Sequence, residues 1–130
     1  MNILAIDYGS KNIGLAWVDT ALGVVLPYGR MKDQKTRNKE QLVVDLIKKE
    51  KVDKIIVGLP IGLDGNENRN TIMVRGFVEE LKKNVATPIE FVDERFTSQS
   101  ADRMGDGGAS RDEKAAMVML EDYLEKMNNK

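Results

Sequence analysis

The stretch Ile3-Leu4-Ala5-Ile6-Asp7-Tyr8-Gly9 decides how the rest of this chain reads. Its apolar run has the composition of a short strand, and the glycine marks the turn that ends it. Asp7 sits at the end of that run, where a carboxylate is costly to bury unless something positive offsets its lost hydration. The sequence contains no histidine and no cysteine. Any chemistry at Asp7 must therefore come from carboxylates, hydroxyls, lysines, arginines and a hard metal ion.

Working outward, Gly9-Ser10-Lys11-Asn12 has turn composition, and Ile13-Gly14-Leu15-Ala16-Trp17-Val18 is apolar at both parities. That pattern predicts a second strand covered on both faces. A third strand, Val24-Val25-Leu26-Pro27-Tyr28, carries a proline that cannot donate to a ladder, which predicts a sheet edge. The three segments read as an antiparallel meander. The period then changes. Leu42, Val43, Leu46 and Ile47 recur at helical spacing after a start near 36–38, and Lys54 to Leu59 is a compact strand. Pro60 to Asn70 reads as a loop, with Ile72, Val74, Phe77, Val78 and Leu81 as the apolar face of a second helix, and Pro88 to Asp93 as a fifth strand. Strand, helix, strand, helix, strand implies parallel pairing through right-handed crossovers. A short helix is expected near 98–104, followed by the glycine-rich segment 105–108. Ser110 and Glu113 fit a capping box for a C-terminal helix striped by Ala116, Met119, Leu120, Tyr123, Leu124 and Met127. The expectation is one α/β domain over residues 1–130, a five-stranded mixed sheet flanked by helices.

Composition narrows the function further. Without cysteine there are no disulfides, thiolate zinc sites or thiol catalysis; without histidine the usual neutral-pH base and zinc ligand are missing. A metal would be held by oxygen, which favours magnesium or manganese. No apolar run is long enough to span a bilayer, and no signal peptide is evident, so a cytoplasmic protein without a membrane partner is expected. The 20 basic and 21 acidic residues give a formal net charge of −1. Nucleic-acid binding would therefore rest on local patches. Candidates are Lys32, Lys35, Arg37 and Lys39; Arg69 and Arg75; and Arg95, Arg103 and Arg111. Such clusters are more often plain solvated surface.

In sheets of this kind sites form at the carboxyl ends of parallel strands. Asp7, Gly58-Leu59-Pro60 and Asp93-Glu94-Arg95 all fall there, while Asp112 shares a helix face with Ala116, Met119 and Tyr123 that should look toward the sheet. Each acid has an ordinary alternative: Asp7 a turn with Gly9, Asp112 a helix-dipole charge, Glu94 a pair with Arg95. Together, three converging carboxylates repel one another unless divalent cations relieve them. Two such cations about 3.5–4 Å apart can activate water and stabilise the leaving oxygen of a phosphodiester, which needs neither histidine nor cysteine.

The order of elements and the placement of acids resemble the ribonuclease H-like superfamily, and within it the YqgF-type (RuvX-like) family of bacterial nucleases. The resemblance runs through Ala5-Ile6-Asp7-Tyr8-Gly9-Ser10-Lys11 with Ile13-Gly14-Leu15-Ala16, then Val57-Gly58-Leu59-Pro60 with Leu63-Asp64-Gly65. It continues through Val92-Asp93-Glu94-Arg95 with Thr97-Ser98 and Ala101, and Asp112 with Ala115-Ala116, Leu120 and Tyr123-Leu124. It implies that Asp7, Glu94 and Asp112 form a catalytic, magnesium- or manganese-holding site. Lys11, Arg95, Thr97, Arg103 and Arg111 are the nucleic-acid-binding candidates. The implied activity is metal-dependent endonucleolytic processing of the small-subunit ribosomal RNA precursor at its 5′ end. The alternatives are Holliday-junction resolution on branched DNA and a non-catalytic ribosome-assembly module; a homodimer is compatible with each. Two positions depart from the family pattern: Asn12 stands where arginine is frequent, and Phe96 where leucine is usual.

Overall fold

A computed structural model describes residues 1–9, 11–60, 65–93 and 111–128. The described elements are β1 (Asn2–Tyr8), β2 (Asn12–Asp19), β3 (Val25–Lys32), α1 (Lys39–Lys49), β4 (Lys54–Leu59), α2 (Arg69–Asn84), β5 (Ile89–Asp93) and α3 (Arg111–Asn128). The strands form one sheet in the order β3-β2-β1-β4-β5. The meander β1–β2–β3 is antiparallel, while β1–β4 and β4–β5 are parallel. β3 is the edge strand that Pro27 predicted, and it runs further than expected, to Lys32. Its register with β2 shifts between Leu15 and Ala16.

Strand alternation divides the core in two. On one face Leu4, Ile6, Ile13, Leu15, Ile55 and Val57 pack under α1 and α2. On the other, Ile3, Ala5, Ala16, Val18 and Ile56 pack under Ala116, Met119 and Leu120 of α3. Fully burying a side chain of this size contributes roughly 1.5–3 kcal/mol, so the α3 stripe docks the helix firmly on the sheet. Lys54 adds a polar clasp, donating to the Tyr123 hydroxyl and pairing with Glu90 at 3.2 Å.

Asn38 and Asn68 cap α1 and α2, each in a reciprocal box with the residue three positions on. The Asn68 cap starts α2 at Arg69, so the expected loop to Asn70 is shorter than composition suggested. Ile72 is 67% exposed and belongs to the outer face of α2, not to the core; the stripe is carried by Thr71, Val74, Phe77, Val78 and Leu81. The expected helix near 98–104, the segment 105–108 and the capping Ser110 lie outside the described residues.

Two glycines make opposite predictions. A Cβ on Gly76, inside α2, would meet no atom within 4 Å, so Gly76→Ala should raise stability by about 0.5–1 kcal/mol through helix propensity. A Cβ on Gly14 would run into the backbone carbonyl of Asp112 and lie 2.7 Å from its Cβ. Gly14→Ala should cost about 1–3 kcal/mol, as overpacking does. Urea unfolding of the two variants checks both signs.

Candidate active site

The site is built on the face of β1 that carries Ile3, Ala5 and Asp7. Asp7 is partly buried at the carboxyl end of the strand. Its antiparallel partner on β2 is Gly14. On the parallel side Ile6 pairs with Val57, so the next residues along are Asp7 and Gly58, and Gly58 in turn pairs with Val92 of β5. A glycine thus stands on either side of Asp7.

The space over Gly14 is filled by the first turn of α3, whose Asp112 backbone and Cβ sit where a Gly14 side chain would be. Directly opposite Cβ positions in an antiparallel pair are about 4.5–5.5 Å apart, so the Cβ atoms of Asp7 and Asp112 lie within roughly 8 Å of each other. One turn further along α3, Ala116 is fully buried, which fixes that face of the helix on the sheet. Two of the three acids expected from sequence are thereby brought together from opposite ends of the chain. Glu94, together with Arg95, Thr97 and Arg103, lies outside the described residues, as does the side chain of Arg111; β5 ends at Asp93, directly before Glu94. Lys11 is exposed beside the turn that follows β1.

Tyr8 holds the same strand end from the other face. Its hydroxyl donates to Glu40 Oε1 at 2.8 Å, and its ring stacks on Phe77 at 4.6 Å. The Lys39 ammonium lies 5.7 Å from the Tyr8 ring centroid and pairs with Glu40 at 3.1 Å and Asp33 at 3.8 Å. Burial, with the bond to Glu40 and the charges of Glu40 and Asp33, pushes the Tyr8 hydroxyl up to about 12. Burial works to raise Glu40, but the bonds from Tyr8 and Lys39 outweigh it and leave that carboxyl below its usual range.

These contacts revise the surface patches. Lys39 is buried, Arg37 is bonded to Asp45, and Arg75 holds Glu67 through bonds of 2.7 and 3.0 Å. None of the three is set up as a phosphate ligand. Sequence reasoning put Gly58 at this end of the sheet and Gly14 in the first motif but gave neither a role; the signal was an isolated glycine inside an apolar strand, which marks a close backbone approach such as Gly14 makes with Asp112.

A β-sheet with three antiparallel and two parallel-paired strands, crossed on one face by a C-terminal helix that carries an acid to the end of β1, is the ribonuclease H-like fold. The model of the RuvX family, described as Holliday junction resolvase, matches residues 1–126, and the chain belongs to that family. A relative from Maridesulfovibrio salexigens, named "putative pre-16S rRNA nuclease", is 35% identical over 95% of this chain and 98% of its own length. The fold is shared with Thermus thermophilus RuvC in complex with a Holliday junction substrate, at a TM-score of 0.66 and 12% identity over 98% of this chain and 96% of that one. It is shared too with the fowlpox virus resolvase in complex with Holliday junction DNA, at a TM-score of 0.63 and 16% identity over 98% and 99% of the two chains.

The Tyr8 shift has a measurable consequence. Folded Tyr8 keeps its proton to about 12 whereas an unfolded tyrosine ionises near 10. Its contribution to stability is complete below pH 10 and is lost as pH rises through 12. Chemical unfolding at pH 9, 10.5 and 12 should show stability falling across that range. Tyr8→Phe should flatten the fall, and ultraviolet titration should lose its last-ionising tyrosine.

Proposed function

We propose that the chain acts as one metal-dependent endonuclease domain in which Asp7, Glu94 and Asp112 hold magnesium or manganese against a phosphodiester of structured RNA. The observation that carries this reading is the seating of Asp112 on Gly14 beside Asp7. The residues fit the metal on donor chemistry: the site offers carboxylate oxygens, the sequence has no imidazole or thiolate to compete, and hard oxygen sets suit these cations. When bound, such cations supply a nucleophilic water at neutral pH and stabilise charge on the leaving oxygen. The protein's share is placement. Asp7 is held by a strand paired on both sides, Asp112 by a helix docked through Ala116, Met119 and Leu120. Holding two anions together on rigid elements keeps the site ready for a positive charge without reorganisation.

Substrate choice follows the relatives: the name of the M. salexigens protein supports processing of the small-subunit ribosomal RNA precursor. Resolution of branched DNA is the second reading, favoured by the family description. Both present the same phosphodiester to the same acids, so the fold does not choose between them.

A single cleavage panel tests the proposal. Precursor ribosomal RNA, a generic single strand and a four-way DNA junction are incubated with the parent chain, Asp7→Asn and Asp112→Asn, in magnesium, in manganese and in a chelator. The parent should cut the RNA precursor in either metal and stop in chelator. Each variant should lose several kcal/mol of transition-state stabilisation, a hundredfold or more in rate by order of magnitude, with its circular dichroism unchanged. If Asp7→Asn cuts as fast as the parent, the site lies elsewhere.

A further inference from the structure

We propose that Arg30 and Lys32, on the exposed edge strand, form a phosphate-binding strip that carries the nucleic-acid strand past the acidic pair; the assignment rests on the nuclease reading above. The sheet register places them. Asp7 pairs with Gly14, and Gly14 pairs with Arg30, so the three residues stand in one row across β1, β2 and β3. Lys32 is the partner of Asn12, one α3-facing position further along β2. The face is fixed by alternation. Met31 packs against the core under α1 and α2, and Val25, at the start of the same strand, packs against the core under α3. With the register shift at Leu15/Ala16 between them, Arg30 and Lys32 therefore fall on the face that carries Asp7 and Asp112. Neighbouring strands are about 4.8 Å apart, so the Arg30 backbone is about 10 Å from that of Asp7, with the Asp112 turn between them. A guanidinium on its long stem reaches a phosphate beside the one held at the acids.

Charge makes the strip necessary. The chain has a net charge of −1 and the site itself is acidic, so neither attracts a polyanion. Attraction must come from local cations free to exchange their counterions for phosphate. Several cations elsewhere on the described surface are engaged: Arg37 with Asp45, Lys54 with Glu90, Arg75 with Glu67, Lys126 with Asp122. Arg30 and Lys32 are exposed, and among the described residues neither has a carboxylate partner. Arg30 stands at the very register level where the acids gather.

The test measures binding separately from cleavage. A fluorescein-labelled single-stranded RNA is titrated by anisotropy at several salt concentrations, in chelator, against the parent chain and its Arg30→Gln/Lys32→Gln, Arg30→Lys and Lys48→Gln variants. Lys48 is an exposed lysine on α1, on the opposite face of the sheet. Each lost single-strand contact removes roughly 0.7 from the slope of log affinity against log salt, so the double variant should lose about 1.4. Arg30→Lys should keep the parent slope, and Lys48→Gln should leave it unchanged. The strip is refuted if the parent does not bind, if the double variant keeps the parent slope as an edge charge serving only solubility would, or if Lys48→Gln lowers the slope equally. A lowered slope in a protein that cuts nothing would retain the strip and sink the nuclease reading; cleavage abolished by Asp7→Asn with an unchanged slope would do the reverse.

Discussion

The structure turns on one close approach, the first turn of α3 lying on Gly14. Any side chain there would lift the turn and with it Asp112. Because Gly14 is the cross-strand partner of Asp7, the contact that seats the helix also sets the distance between two carboxylates that are far apart in sequence. The apolar stripe of Ala116, Met119 and Leu120 provides the docking energy, and the missing side chain provides the depth. Packing and chemistry are the same contact, so a substitution that loosens one loosens the other.

The opposite face supports the same strand end by other means. Tyr8 follows Asp7 and points the other way, into a stack with Phe77 and a bond to Glu40 beside the buried Lys39. A hydroxyl, a carboxylate and an ammonium close on one another there with no polar side-chain atom left buried and unpaired among the described residues. β1 is therefore gripped on both faces at the point where Asp7 leaves the sheet. A carboxylate that must meet a second one benefits from such an anchor, since mutual repulsion would otherwise drive the two acids apart.

Much of this was legible in the sequence because local rules and tertiary demand agree. The apolar runs of β1, β2 and β4 read directly as strands, Pro27 marked the edge, and the helical spacing of Leu42, Val43, Leu46 and Ile47 predicted α1, whose expected start near 36–38 falls at the cap Asn38. The predicted inward face of Asp112 follows the same three-and-four spacing. Other features depended on contacts that no local pattern carries. Ile72 is as apolar as the core residues near it, yet it stands off the helical stripe of Val74, Phe77, Val78 and Leu81 and faces solvent. Arg37, Lys39 and Arg75 fall in two basic patches by composition, but Arg37 and Arg75 pair with acids eight residues away and Lys39 with Glu40 beside it. Arg30 was invisible as a candidate because its place in the same row as Asp7, two strands away, exists only once two strand registers are laid side by side.

The central claim, that Asp7 and Asp112 share a cation, is tested most directly by manganese binding. Electron paramagnetic resonance of the free hydrated ion is followed while the parent, Asp7→Asn and Asp112→Asn chains are added without nucleic acid. The account predicts that the parent removes ion from the free pool and that each variant weakens binding by roughly tenfold or more while its thermal unfolding stays cooperative. Equal manganese binding by the parent and both folded variants would contradict it.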